Sequence, residues 1–510
     1  MRATVAAAAI AGLVLAAASV ALPQRAGEQQ VRLVDQLGLG PPGWVPPSPH
    51  YPPLPGSDEQ DGEPDEPDEE LSHFSQWSIQ HKRDFLEALS NNQAQDWVIC
   101  MGNEAGDTDS MVAALALAYT FSHDKENPHR KAVALLQTEL DALYLRPENG
   151  LVLHYARFRN KHGDILSVDE LTIKPVEMAH RIKGIALVDH NVPQSVWSNA
   201  TVVAIIDHHV DRGMFPEAKP RLIEMTGSST SLVAKYMLDV IDTIAPPGHF
   251  EAMHGPIPQE LIEMMLRTIA LDTSGLKRAQ TTDTDRETAK KLFALSSWSK
   301  EDIKERMSQL DDELSASKKD LRGLDVRALL RRDWKGDGVA TKSKRYPTLS
   351  LGFASAPVSL EEQISRTPEG TAPEWFAIER AWTSEIGADV SVCLTNSKDK
   401  HGNKQREIAI VVAHVRDTIF LAVLCLRSEM SWQGYGKRLH EHAANSLFKS
   451  LVRAVENAGV PLKKWDRPDG KELLPRRAVW VVKGTSEQGQ SASRKFWRPI
   501  LEQAVKEWRG

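Results

Sequence analysis

Val202-Val203-Ala204-Ile205-Ile206-Asp207-His208-His209-Val210-Asp211 sets a β-branched, apolar run directly against two carboxylates and two adjacent histidines. The run has the length and residue types of a strand, so the polar cluster falls at the strand's carboxyl end. Adjacent imidazoles flanked by carboxylates are costly in a core and well suited to a metal, since each ring can be oriented by a neighbouring carboxylate.

The same design recurs on either side. WVICMG at 97–102, AVALLQ at 132–137 and GIALVDH at 184–190 read as strands, and DSMVAALALAYTF at 109–121 reads as the helix after the first. Alternation of strands and helices from His73 to Trp298 predicts an α/β fold: a doubly wound, mostly parallel sheet with ligands at the carboxyl ends of its strands. Gly102-Asn103-Glu104-Ala105-Gly106-Asp107-Thr108-Asp109-Ser110 follows the first strand and opens a helix. Its two carboxylates, two residues apart, can each serve a different cation, and an ordinary N-cap explains them as well. Asp189 closes GIALVD, where a lone Asp fits a turn as readily as a ligand. Asp272 in Thr268-Ile269-Ala270-Leu271-Asp272-Thr273-Ser274 closes a further apolar run, read as a fourth strand end. Gly227-Ser228-Ser229-Thr230-Ser231 before LVAKYMLDV is either an anion-binding helix start or a plain cap. Gathered in one cleft, these oxygen-rich groups with an imidazole suit two divalent cations, Mg or Mn with Co as a further option, the clamp used for in-line phosphoryl displacement.

At 510 residues the chain is too long for one ordinary core. Its 41% hydrophobic and 26% charged residues exclude a wholly disordered, fibrous or multispan membrane protein. The sequence divides into residues 1–21, 22–72, 73–298, 299–314 and 315–510. The first segment has one early Arg, an apolar run and Ser19-Val20-Ala21, as expected of a secretory signal or an uncleaved anchor. The second, rich in Pro, Gly and acids, is expected to be a disordered tether. Nine carboxylates lie between Asp58 and Glu70, and setting them aside turns the net charge of −7 into +2. The third is the α/β domain and the fourth a helical linker. The last carries the strand-like runs LSLGFAS, VSVCLT, REIAIVVA and AVWVVKG, with basic pairs at Arg331/Arg332, Lys463/Lys464, Arg476/Arg477 and Arg494/Lys495. Cys100, Cys393 and Cys425 each lie in an apolar run, without disulfide or zinc spacing. There is no internal repeat.

The four polar elements in this order resemble the DHH phosphoesterase superfamily, whose triplet is here Asp207-His208-His209. Arg331-Arg332-Asp333-Trp334-Lys335 and Ser493-Arg494-Lys495 resemble the substrate-gripping elements of the DHH-associated type 2 domain. That domain is shared by family II pyrophosphatases, prune-like phosphodiesterases and fungal exopolyphosphatases. The similarity spans Trp97 to Pro499 and implies a C-terminal α/β domain closing over the cleft. It implies that Asp107 binds one metal, that Asp109, His208 and Asp272 bind the other, and that Asp189 bridges them. His209, Lys335, Arg494 and Lys495 would meet phosphate oxygens, with Asp189, His209, Lys335 and Arg494 the catalytic set, and Asp207 would steer an imidazole. Family II pyrophosphatases carry a ligand His where this chain has Asn103. Gly-Asn-Glu is similar to the exopolyphosphatase branch, as are Leu143-Tyr144-Leu145-Arg146-Pro147-Glu148 and Pro357-Val358-Ser359-Leu360-Glu361-Glu362. Asn103 is then expected among the substrate contacts, with one metal site weaker or favouring Mg.

The resulting expectation is an exopolyphosphatase acting on inorganic polyphosphate as a monomer, with no nucleic acid partner and no membrane span beyond the N-terminal segment. A family II-type pyrophosphatase or prune-like phosphodiesterase is the alternative, and a non-catalytic scaffold using the acidic tether is one of another class. A nuclease reading would need a stacking groove, which the 13 tryptophans could supply. The N-terminal segment favours a secretory or vacuole-like compartment, whereas the resemblance suits the cytoplasm.

Overall fold

The computed structural model describes residues 71–124, 126–127, 129–158, 163–240, 256–398, 402, 404–414, 439–470, 475–482 and 492–510. The expected signal segment, nearly all of the tether and the run holding Cys425 lie outside the described residues. Ser72, at the tether's expected end, is the N-cap of helix α1 (His73–Ser90) and accepts from the Ser75 amide at 3.0 Å.

Six strands form a wholly parallel sheet: β1 (Trp97–Met101), β2 (Lys131–Leu136), β3 (Leu166–Ser167), β4 (Gly184–Val188), β5 (Val202–Asp207) and β6 (Arg221–Ile223). Every residue of β1 and β4 is buried. Val98, Cys100, Ala186 and Val188 pack on one face with α2 (Thr108–Ser122), while Ile99, Met101, Ile185 and Leu187 pack on the other with Phe85 and Leu89 of α1. A sheet covered on both faces needs apolar side chains at successive positions, which is why its strands read as continuous runs. The order β3-β2-β1-β4-β5-β6 reverses direction between β1 and β4. Connections leave that point toward opposite sides, so a crevice opens at the carboxyl ends of these two strands.

Helices α3 (Pro147–Tyr155), α4 (Ser229–Asp239), α5 (Gln259–Thr273) and α6 (Asp283–Leu295) follow in the same layer system. Asp272 therefore ends a helix, not a strand. Helix α5 is buried almost all round, from Leu261 to Leu271 with Glu263 alone excepted, and again at Thr273. Polar residues on one face, which mark a surface helix, are absent from its inner half. The expected linker forms most of α7 (Ile303–Lys319), whose Met307, Leu310 and Leu314 belong to the same core as α2 and α5.

The second sheet has seven strands: β7 (Trp334–Ala340), β8 (Thr348–Ala356), β9 (Val390–Thr395), β10 (Ser397–Lys398), β11 (Lys404–Val412), β12 (Leu462–Lys464) and β13 (Arg477–Val482). The order is β12-β13-β11-β9-β8-β7, with β10 beside β11 and only β8 and β9 parallel. Before it stands α8 (Val326–Arg332); α9 (Leu360–Ser365) and α10 (Ala372–Glu385) cover one face, and α11 (Glu441–Glu456) and α12 (Arg494–Glu507) the other. The Cys100 and Cys393 thiols are both free and buried, and burial pushes the Cys393 thiol up to about 12.

Helix α8 ties the second sheet to the first. Leu324, Ala328, Leu329 and Val358 pack with Ala142 and Leu145. Beside them the Arg332 guanidinium donates to the Leu145 carbonyl at 2.6 Å and to the fully buried Glu148 carboxylate at 3.2 Å. No helix among the described residues is long and apolar enough to cross a membrane.

Candidate metal centre

The crevice between β1 and β4 is built by two loops that touch. A Cβ on Gly102 would collide with the Ser110 side chain and backbone, so only glycine lets the loop after β1 lie against α2. Ser110 then donates from Oγ to Asp189 Oδ2 at 2.6 Å and accepts from the Asn103 amide at 3.0 Å. The Asn103 Nδ2 donates to the same Asp189 oxygen at 2.7 Å, and its Oδ1 accepts from the Ala105 amide at 2.9 Å. Asn103 is only 4% exposed. Its side chain is committed to orienting Asp189 and to closing its own loop, which differs from the expected substrate contact. An amide can supply both a donor and an acceptor here, whereas a ligating imidazole would be aimed at the ion. Asp189 itself has φ +60, a left-handed conformation that costs a non-glycine residue about 1 kcal/mol or more and that recurs at functional sites.

Opposite Asp189 stand the two histidines that follow β5. His208 Nδ1 donates to the Thr226 carbonyl at 3.1 Å, which fixes the ring and leaves Nε2 3.2 Å from Asp189 Oδ1. Burial works against charge on His208, but Asp189, Asp109 and Asp272 outweigh it and hold the proton up to a pKa of about 10. His209 Nδ1 donates to the fully buried Asp207 at 2.9 Å, and Asp207 also accepts from Asn191 Nδ2 at 2.5 Å. Burial opposes ionisation of Asp207, but these bonds hold its carboxyl below the usual range. Ligand atoms of Asp189, His208 and His209 lie within 4.8 Å of one another. His209 Nδ1 is spent on Asp207, so the ring, 44% exposed, has Nε2 to offer.

Three more carboxylates complete the floor. Asp107 caps α2, accepting from the Ser110 amide at 3.1 Å, so capping and site roles coincide. Asp109 accepts from Ser228 Oγ at 2.8 Å, the Ser229 amide at 2.7 Å, and the Thr230 amide and hydroxyl at 2.8 and 2.7 Å. The start of α4, one of whose expected roles was to bind a free anion, is thus occupied by Asp109. Burial and the neighbouring Asp189 charge raise Asp109 to about 6. Asp272 has a buried Oδ2 without a hydrogen-bond partner. Burial, Asp109 and Asp107 push its carboxyl well above the ordinary value. An orphaned carboxylate beside other carboxylates and a fixed imidazole is a donor set that a hard divalent cation satisfies.

The opposite wall is basic. Burial raises Asp107, but the charges of Arg146, Lys335 and Lys318 outweigh it and hold the group at about 2. Lys335 is on β7, Lys318 in the last turn of α7, and Arg146 just before α3, where its Nε donates to the Ala105 carbonyl at 2.8 Å. Sequence reasoning named Lys335 and missed the other two. Arg146 lies within a quoted motif, and Lys318 had no local signal beyond its charge. Arg494 Nη1 is 3.1 Å from both the carbonyl and a carboxylate oxygen of Asp333, which brings it beside the Lys335 strand. Lys495 is exposed, and among the described residues no contact ties it to the cluster.

The model of the DHH family N-terminal domain matches residues 97–269, and that of the DHHA2 domain matches residues 312–504. A Schizosaccharomyces pombe protein provisionally named an exopolyphosphatase is 31% identical over 257 residues, 49% of this chain and 62% of that one. Human exopolyphosphatase PRUNE1 is 24% identical over 322 residues, 62% of this chain and 63% of its own. An Archaeoglobus fulgidus protein provisionally named a manganese-dependent inorganic pyrophosphatase is 26% identical over 201 residues, 38% of this chain and 55% of that one. Each match thus spans less than two thirds of the relative. A Methanococcus jannaschii structure assigned to family II inorganic pyrophosphatases aligns over 80% of this chain and 98% of its own, at 18% identity and a TM-score of 0.43.

Proposed function

The chain belongs to the DHH phosphoesterases that carry a DHHA2 domain, and from that premise we propose that it is an exopolyphosphatase, removing the terminal phosphate of inorganic polyphosphate as orthophosphate. One observation carries the reading. An acidic floor that includes the unpartnered Asp272 carboxylate faces three cationic side chains, Arg146, Lys318 and Lys335, whose fields reach Asp107. Cations suit the floor, and a polyanion suits the wall.

Asp107, Asp109, Asp189, His208 and Asp272 would hold the divalent cations, which supply Lewis acidity toward phosphoryl oxygens. The chain's own groups do the rest. Asn103 and Ser110 fix one Asp189 oxygen and leave the other toward His208. Asp207 holds the His209 ring so that Nε2 can meet a phosphate oxygen of the group being transferred. Lys335, Lys318 and Arg146 neutralise equatorial charge, and Arg494, anchored on Asp333, steadies the approach of Lys335. Water is the nucleophile that takes up the released phosphoryl group, and apolar contacts around α8 hold together the two domains that flank the cleft.

A scaffold would not need to keep these mutually repelling carboxylates together, since burying them has a cost that only a ligand offsets. The test follows products from end-labelled long-chain polyphosphate supplied with Mn. Orthophosphate as the sole early product agrees with the proposal, and internal fragments contradict it.

A further inference from the structure

Thr282-Asp283-Thr284-Asp285 has the spacing of a capping box for α6, and the structure forms it: the Asp285 amide donates to Thr282 Oγ1 at 3.3 Å and the Thr282 amide to Asp285 Oδ2 at 2.8 Å. Capping alone would explain the residue without any part in the metal centre. Asp285 is fully buried, however, and its carboxylate also reaches the turn before α4. It accepts from the Gly227 amide at 2.8 Å, the Ser228 amide at 3.3 Å and Ser231 Oγ at 2.6 Å. Burying a carboxylate is costly, and donors of this kind offset the cost.

The turn that Asp285 grips serves two expected ligands of the same cation. The amides of residues 227–230 are split between two carboxylates: Gly227 and Ser228 donate to Asp285, and Ser229 and Thr230 donate to Asp109. Ser228, the N-cap of α4, makes no side-chain bond to its own helix and spends Oγ on Asp109 at 2.8 Å. One residue before Gly227, the Thr226 carbonyl accepts from His208 Nδ1 at 3.1 Å. Space is tight, since a Cβ on Gly227 would lie 2.8 Å from the Thr273 methyl and 3.1 Å from Asp285 Oδ2. Asp109 Oδ1 accepts from Ser228 Oγ and from the Thr230 amide and hydroxyl, whereas Oδ2 accepts from the Ser229 amide, so Oδ2 is the oxygen with room for a cation. Asp107 and Asp189 are oriented from elsewhere, by Ser110 and Asn103.

We propose that Asp285 is a positioning residue for one of the two cations, fixing the turn at 226–230 and, through it, Asp109 Oδ2 and His208 Nε2. The proposal rests on the reading of the crevice as a two-cation centre, and polyphosphate as substrate is not part of it.

The test titrates Mn into the full chain by calorimetry and compares Asp285→Asn, Ser231→Ala and Thr282→Ala. Asp285→Asn keeps the shape of the side chain but turns an NH2 group toward amide donors. It is expected to weaken one Mn site about ten- to a hundredfold and to leave the other within about threefold. Orthophosphate release at limiting Mn should fall and recover at saturating Mn, with KM for polyphosphate changed less than about twofold. Ser231→Ala removes one anchor of the turn and should weaken the same site about three- to tenfold, which decides the matter if Asp285→Asn does not fold. Thr282→Ala removes the cap hydroxyl and keeps the carboxylate, so the unfolding midpoint in chelator should drop by roughly 2–4 °C with both Mn affinities within about twofold. Equal weakening of both sites, weakening of neither, or a loss in Thr282→Ala as large as in Asp285→Asn overturns the proposal, as does an unaltered chain that binds fewer than two Mn ions. If the unaltered chain binds both ions but releases no orthophosphate from polyphosphate, the substrate reading fails and the Mn titration still decides the role of Asp285.

Discussion

Replacing Asp272 with Asn should make the metal-free protein more stable and the metal-bound protein less so. The buried Oδ2 has no hydrogen-bond partner, and Asp109 and Asp107 add repulsion. The residue also ends α5, where the helix dipole disfavours negative charge. Asn stays polar but carries no charge, so the relief comes from the lost repulsion and is expected to be about 2 kcal/mol, the upper end for a partly buried charge at an unfavourable helix end. For a domain of this size that is a rise in unfolding midpoint of roughly 4–8 °C in a chelator at pH 8. The sign depends on pH in a defined way. Because the folded-state pKa is raised, the folded protein keeps this proton longer than the unfolded chain. Stability tied to Asp272 is full below the unfolded value and is lost as pH rises through the folded one. The advantage of Asn should therefore grow as pH rises above the ordinary carboxylate range. Mn at a hundredfold excess over its dissociation constant should add about 2.7 kcal/mol to the unaltered chain and much less to the variant. Calorimetric scans with chelator and with Mn measure both effects. A variant that melts lower than the unaltered chain in chelator, while keeping the full Mn shift, would refute the reasoning.

Three other substitutions probe the support of the site. Asn103→Ala removes a donor to Asp189 and should weaken Mn affinity about ten- to a hundredfold, read by titration calorimetry, with the unfolding midpoint in chelator little changed. Asp207→Asn removes the charge that fixes the His209 ring, so kcat on polyphosphate should fall at least about tenfold while Mn affinity stays within a factor of about three; equal losses in both would place His209 among the ligands. Glu148→Ala strands Arg332 and Arg146 without their shared carboxylate and should cost about 3–5 kcal/mol in unfolding free energy. A loss below about 1 kcal/mol would mean that water replaces that carboxylate.

The inner strands were legible because burial on both faces leaves little but apolar residues in β1, β4 and β5, and each run breaks abruptly at its polar carboxyl end. The same continuity misled at Asp272. A helix buried almost all round loses the 3.6-residue pattern that separates it from a strand, and only the 15-residue length of α5 tells them apart. Strand β7 escaped notice because Trp-Lys-Gly-Asp-Gly-Val-Ala holds two glycines and buries only Val339, as suits an edge. The start of α4 did carry an anion signal, but its anion is Asp109, 120 residues from Ser229 along the chain. Asn103 was legible as a departure from a ligand position, whereas its bond to Asp189 depends on how β1 and β4 meet. Lys318 and Arg146 depend on tertiary packing alone, since each reaches Asp107 from a different element.

The central claim is metal-dependent hydrolysis of polyphosphate at the β1–β4 crevice, and the most direct measurement is orthophosphate release by the full chain with Mn or Mg. Long-chain polyphosphate and pyrophosphate are compared, beside Asp189→Ala. The account predicts release from polyphosphate well above that from pyrophosphate, abolished by chelator and by Asp189→Ala. Faster release from pyrophosphate, or release that survives Asp189→Ala, would contradict it.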